Sequence, residues 1–441
     1  MSQEKPDMLA NGGDTCPSAT RLADFSAGGE LAGPYELTGV KGTLYFSVDD
    51  GVHGPALWSS DGTPGGTRLF RDFGVAPTSL TEARGLLFFI VGDTLWRTDG
   101  TAAGTFPLVT EPSSPPIGTG LSVLGEFRGR LFFRMYTPEY GVELWASDGT
   151  RAGTRLYLDV NPGTPSSLPD EIVETSSGNL VFEAYVDEAM ETHAVLEVSP
   201  AKSVEELFRV GGGGDTSIFR LTAVEDRVFF LVDERDGTPF LYVSDGTPGA
   251  ATPLYFWDEV DTPGHFTAYA GRLYFTAVES DFPGAGVELW VSDGTPGGTG
   301  RLVDIRPGEE GSYPTGLTVF EGLLYFAADD GVHGRELWVS DGTAAGTRLA
   351  RDIRPGAEGS SPDGLMVASR KLYFVADDGE HGREPWKVFH GRVRLVEDIF
   401  RTEAGAVDVF ARAGSYLFFS TESHELWSML TGAYCPPSGT R

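Results

Sequence analysis

The sequence predicts an all-β fold: a single closed β-propeller of nine four-stranded blades. Three observations predict it. First, one aliphatic residue, one large apolar residue and then Phe recur through the 441 residues, ending at Phe46, Phe89, Phe133, Phe182, Phe230, Phe275, Phe326, Phe374 and Phe419. The spacings run from 43 to 51 residues, the period of a propeller blade. Second, about a dozen residues later comes Leu-Trp or its relic. Its Trp position is filled by Trp58, Trp96, Trp145, Glu197, Tyr242, Trp290, Trp338, Trp386 and Trp427. Third, the strand missing from the last unit is found at the other end of the chain.

Within a unit the runs are short and β-rich. Unit seven reads TGLTVF, GLLYFAADD, RELWVSD and TRLARDI. Each run is bounded by Gly, Asp or Pro, and each favours β-branched and aromatic residues. The link between the third and fourth runs, GTAAG, has a hairpin's length, and its glycines suit positive φ. AKSVEELF (201–208) is the single helical candidate. The units span approximately 35–73, 78–111, 121–162, 170–211, 215–258, 265–308, 312–356, 360–400 and 406–436. Nine exceeds the usual four to eight blades, so eight with one displaced unit is the alternative.

The last unit supplies AVDVFAR, SYLFFST and HELWSML, then runs out into GAYCPPSGTR. Near the start, ATRLADFSAGG copies the TRLARDIRPG of unit seven. Residues 19–25 are therefore expected as the outer strand of the last blade, closing the ring and leaving no free sheet edge. The propeller spans 19–436, between a tail at 1–18 and a tail at 437–441. Cys435 follows the last blade's third strand and Cys16 precedes the imported one. A Cys16–Cys435 disulfide would stand where other blades have a hairpin, and would contribute up to about 5 kcal/mol in the chain-entropy model. Two unrelated thiols are the alternative. The disulfide would require an oxidising compartment.

Composition narrows function. Lys+Arg 33 against Asp+Glu 64 leaves a net charge of −31, which repels nucleic acid and anionic membrane surfaces. No apolar run approaches the roughly 18 residues of a membrane span. Gly 59 and Pro 28 mark many turns without reaching low complexity. The polar start, MSQEKPDMLANGGDTCPS, has no apolar leader stretch. Either the protein is cytoplasmic or a leader has been removed; a secreted or cell-surface location is expected, with the leader absent from this chain.

ELWASDGTRAGT (143–154), ELWVSDGTPGGT (288–299) and ELWVSDGTAAGT (336–347) resemble the bacterial ELWxxDGTxxGT repeat family, with LWSSDGTPGGT (57–67) and LYVSDGTPGA (241–250) as close variants. The resemblance weakens in unit four and in units eight and nine, which lack the DGT loop. It implies a large secreted or surface protein and no particular chemistry. ADDGVHGRELW (328–338) and ADDGEHGREPW (376–386) are also similar to the tryptophan-docking motif of quinoprotein dehydrogenase propellers. That similarity implies inter-blade wedges at Trp58, Trp96, Trp145, Trp290, Trp338, Trp386 and Trp427. It does not imply the quinone cofactor, because those enzymes use a vicinal disulfide and this chain has no adjacent Cys pair.

Three sets of residues are candidates for chemistry. The Asp-Gly-Thr hairpins (Asp61, Asp99, Asp148, Asp245, Asp293, Asp341) could form Ca²⁺ sites, but one Asp each falls short of the 6–8 oxygens Ca²⁺ takes, and Asp-Gly is a turn signal. The loops DDGVHG and DDGEHG carry Asp50 with His53, Asp330 with His333 and Asp378 with His381. These are either metal ligands or braces of their own loops. The irregular loops between second and third strands share a face with the blade-to-blade connections, and rigid scaffolds place binding on such loops. They give the ligand candidates Thr137, Glu139 and Tyr140, Asp187 and Glu188, Asp233 and Arg235, and Asp281 and Phe282. No nucleophile elbow, H-E-x-x-H, Walker or Rossmann motif occurs. The expected function is a monomeric binding or adhesion module without a required cofactor, Ca²⁺ being the one weak candidate, that recognises a glycan or extracellular protein. The alternatives are a carboxylate-dependent hydrolase or lyase at the channel mouth, and a structural spacer.

Overall fold

A computed structural model describes residues 19–27, 33–112, 120–211, 216–234, 238–257, 263–279, 286–399 and 407–431. They form nine four-stranded antiparallel sheets. Eight sheets take their strands in sequence order, and the ninth joins Val407–Ala413, Tyr416–Thr421 and Glu425–Leu430 to the N-terminal strand Thr20–Asp24. There Arg21 pairs with Trp427 and Asp24 with Glu425. Phe25 then docks edge-on against Trp58 of the first blade, with centroids 5.3 Å apart. The first strand of each sheet abuts the first strand of the next, and Val407–Ala413 returns to Tyr35–Val40. The ring is closed, and its nine first strands surround the axis.

The recurring Phe explains the packing. All nine are fully buried, and eight of them stand opposite the aromatic mark, as Phe326 does opposite Trp338. Nine apolar clusters follow, one per blade interface. In one, Trp386 and Phe374 of blade eight meet Leu337 and Ile353 of blade seven. In another, Trp338 and Phe326 meet Tyr274, Leu289 and Ile305 of blade six. Each aromatic thus belongs to two blades, the arrangement expected of a repeat whose units cannot bury their faces alone.

Two expectations need correction. In blade four Phe182 stands opposite Leu196, and Glu197 opposite Val181. Leu196, and not Glu197, therefore holds the aromatic's place, because pairing with Leu180–Tyr185 sets the register and the longer loop before Thr192–Val198 shifts the count. The helical candidate is also an outer strand, Val204–Gly211, pairing from Val204 opposite Val198 to Gly211 opposite Thr192. Tertiary pairing there overrides local helix preference. Among the described residues the helical content is one turn of 3-10 helix, Pro296–Gly298.

The repeat letters have local causes. In the DGT hairpins Asp341 Oδ1 accepts from Thr343 N–H at 2.9 Å and from its hydroxyl at 2.7 Å, and Asp61, Asp99, Asp148 and Asp293 do the same. These bonds hold the carboxylates below their usual pKa. The two hairpin glycines serve different ends. Gly342 sits at φ 91, whereas Gly346 gives room, since a Cβ there would enter the Asp341 carboxylate. The Glu of ELW ties strand to connection. Glu336, fully buried, accepts from the N–H of Ile353 (3.2 Å), Arg354 (2.9 Å) and Ser360 (3.0 Å) and from the Ser360 hydroxyl (2.5 Å). Glu288 repeats this with Ile305, Arg306 and Ser312.

Candidate functional site

All nine first strands break register near their start. Such a bulge adds an unpaired residue and re-aims the backbone. Among the described residues, the one entering it is left-handed in seven blades: Glu36 (φ 54), Ser79 (φ 55), Glu171 (φ 45), Arg220 (φ 58), His265 (φ 54), Gly316 (φ 67) and Gly364 (φ 63). Gly316 and Gly364 adopt this conformation freely. A side chain there costs roughly 1–2 kcal/mol. Five blades therefore hold a strained residue where two use glycine, all on strands that line the channel. Strain of this kind clusters at ligand sites.

Three of the five are consecutive round the ring. Segments 171–173, 220–222 and 264–266, on the first strands of blades four, five and six, line a cavity of about 500 Å³. The size is that of a small-ligand site. The bulges begin within the first three residues of their strands, where the chain enters from the blade-to-blade connection. The cavity therefore sits toward the face that carries the irregular loops.

Glu171 Oε2 accepts from Leu221 N–H at 2.8 Å, tying blade four to blade five as Glu36 ties blade one to Leu80 of blade two at 2.6 Å. Partial burial raises the Glu171 carboxyl pKa, with Asp170 adding to the effect. Burial first, then the charges of Arg220 and Arg335, lower the His265 pKa, so its imidazole is neutral at pH 7. Arg220 is exposed, and no ion pair to it occurs among the described residues. Behind this wall Asp170 Oδ2 receives Arg134 Nη1 at 3.0 Å and stands opposite Glu183. Glu183 Oε2 lies 3.1 Å from His193 Nδ1, both side chains buried, and burial raises the Glu183 pKa.

The loop candidates are placed elsewhere. Thr137 closes a hairpin opposite Gly141, with its hydroxyl accepting from Tyr140 N–H at 3.2 Å and the Tyr140 hydroxyl engaged by Glu139. Asp187 braces its own loop through Ala189 and Glu191 N–H at 2.9 and 3.1 Å, beside an exposed Glu188. Asp233 stands opposite Pro239. None of these lines the cavity. Arg235, Asp281 and Phe282 lie outside the described residues, as do Cys16 and Cys435.

The His loops brace themselves. His53 Nδ1 meets Asp50 Oδ2 at 2.8 Å, His333 meets Asp330 and His381 meets Asp378, both at 2.7 Å. Each Asp also accepts N–H groups of its own loop. Among the described residues no three His, Cys, Asp or Glu side chains are placed to share a metal ion, so these six residues form no metal cluster there. Glu171, Arg220 and His265 were missed by reading the sequence. Their signal is positional: Arg220 and His265 stand ten residues before Phe230 and Phe275, where blades seven and eight have Gly316 and Gly364.

No family model and no curated protein matches the chain. Among solved structures, the computationally designed Ika8 protein aligns over 93% of this chain and 98% of its own, at 14% identity and a TM-score of 0.47. A puromycin hydrolase aligns over 81% of this chain at 16% identity and a TM-score of 0.39, and this chain spans 61% of its length. A virginiamycin B lyase from Staphylococcus aureus aligns over 80% of this chain and 93% of its own, at 10% identity and a TM-score of 0.35. At these scores none of them bears on what this chain does. Among the described residues no helix is long and apolar enough to cross a membrane.

Proposed function

We propose that this protein is a binding propeller that takes a glycan at the mouth of its central channel, in a secreted or cell-surface setting. One observation carries the reading. Glu171, Arg220 and His265 occupy strained left-handed positions around a cavity of about 500 Å³, where glycine would hold the same backbone without strain. Convergent donors and acceptors of mixed charge in a preformed cleft suit a polyhydroxylated ligand. The irregular-loop face then supplies a rim around the channel site.

A second reading is a carboxylate-dependent hydrolase or lyase at the same place. It is favoured by the burial that raises the pKa of Glu171 beside His265 on the cavity wall, since a carboxyl moved toward neutrality is a better general acid or base. A glycan array followed by product analysis separates the two. The binding reading expects retention of intact oligosaccharide, lost on Glu171→Gln with Arg220→Ala. Turnover of the retained glycan would replace it with the enzyme reading, and no retention of any glycan would end both.

A further inference from the structure

We infer that the glycan is acidic, and that a sugar carboxylate pairs with Arg220 in the channel cavity. This inference rests on the glycan-binding reading and narrows it. What sets Arg220 apart from the other exposed cations is its place on the cavity wall. The other guanidiniums near the cavity are occupied. Arg134 is bound to Asp170, and Arg335 donates to the Tyr313 and Ala327 carbonyls and to the Thr315 hydroxyl. Arg220 makes no such bond among the described residues, is exposed, and is held at φ 58 on the cavity wall.

A planar guanidinium fork matches a carboxylate through two parallel bonds. The neighbours limit the charge of the ligand. Glu171 contributes a carboxyl group on one side, near enough for the Arg220 charge to act on it, and His265 a ring on the other, so Arg220 is the one cation lining the cavity and has charge for one carboxylate at most. A phosphate dianion would meet Glu171 with nothing to balance its second charge. His265, with one N–H and one acceptor nitrogen, and the Glu171 oxygen not bound to Leu221 can take sugar hydroxyls. Next round the ring from blade six, Gly316 and Gly364 leave the wall of blades seven and eight without side chains at the bulge, giving room for the rest of an oligosaccharide.

The test uses calorimetry on the full chain with three probes: neutral oligosaccharides capped by a single galacturonic or glucuronic acid, the same oligosaccharides carboxyl-reduced to neutral sugars, and the same neutral oligosaccharides carrying a single sulfate. The inference predicts binding of the uronate-capped oligomers and at least a tenfold loss on carboxyl reduction. Arg220→Lys should weaken uronate binding about tenfold and Arg220→Ala should abolish it, with melting unchanged in both. Equal binding of neutral and acidic oligomers, or preference for the sulfated ones, would overturn the carboxylate inference and leave glycan binding standing. Undiminished uronate binding by Arg220→Ala would place the ligand elsewhere and overturn it too. Failure of all three probes, together with an empty glycan array, would remove the underlying reading itself.

Discussion

At the bulge of the first strand, blades seven and eight carry Gly316 and Gly364, whereas blades four, five and six carry Glu171, Arg220 and His265. The backbone is the same in both arcs of the ring. Blades seven and eight are also the self-sufficient ones. Their DDG loops are closed by His333–Asp330 and His381–Asp378 pairs, and Arg306–Asp329 and Arg354–Asp377 bridges fasten the connections leading into them. Residues the repeat specifies are used up in holding the repeat. Arg220 and His265 cost strain while their side chains make no hydrogen bond or ion pair among the described residues, so a ligand has a claim on them, and they stand on neighbouring blades of the cavity wall.

The comparison presupposes a closed ring, so the largest expected effect comes from opening it. Deleting residues 1–26 removes Thr20–Asp24 from the last sheet, together with Phe25. An exposed strand edge should then cause unfolding or association, seen by size exclusion and circular dichroism, whereas deletion of 1–12 should be silent. A monomeric, cooperatively melting 27–441 protein would mean that closure does not depend on this strand.

Next in size is Trp338→Ala. It empties a buried indole from the interface of blades six and seven and should cost about 3–5 kcal/mol in chemical denaturation. Glycan binding by whatever fraction stays folded should be unchanged. A stability equal to wild type would show that the wedge is dispensable and that the regular arc is not what carries the fold.

The buried Glu clips sharpen the comparison by pH. Glu336 in blade seven uses both carboxylate oxygens. Glu143 in blade three takes Val160 N–H and the Ser167 hydroxyl on Oε2 and leaves Oε1 buried without a partner. Burial pushes the Glu143 pKa up to about 7. A carboxyl whose folded pKa exceeds its unfolded value stabilises fully below about pH 4.5 and loses that contribution as pH rises through about 7. Stability should fall by about 1–3 kcal/mol between pH 5 and pH 8 from this group, and Glu143→Gln should flatten that part of the profile. A profile identical in the variant would assign the pH dependence to other groups.

Much of the fold is legible in the sequence because the repeat states it nine times. Phe and Trp marks at matching positions give the blades, and ATRLAD at the start supplies the strand that HELWSML lacks at the end. The Asp-Gly-Thr turn is readable because its chemistry is local. Blade four's register was hidden, since Leu196 carries no aromatic mark and only pairing with Phe182 locates it. The candidate site was hidden for a different reason. TPEYGV and VDEAMETH draw notice because their lengths and compositions depart from the repeat, yet the cavity wall keeps the repeat's spacing in blades five and six and changes only the residue. Glu, Ser, Arg, His and Gly at one position show no pattern until their shared left-handed φ is seen.

The smallest stability effect comes with the sharpest functional one. In the double variant Arg220→Gly with His265→Gly, glycine relieves two strained positions at a cost in unfolded-state entropy, so stability should hold or rise by up to about 1 kcal/mol. The Glu171–Leu221 tie is left in place. Measuring oligosaccharide binding and thermal melting on this one protein tests directly whether the charged arc of the channel is kept for a ligand. A melting temperature at or above wild type and no measurable binding are expected. Binding at wild-type strength in a protein whose channel wall has been made glycine on blades five and six, as it is on seven and eight, would contradict it.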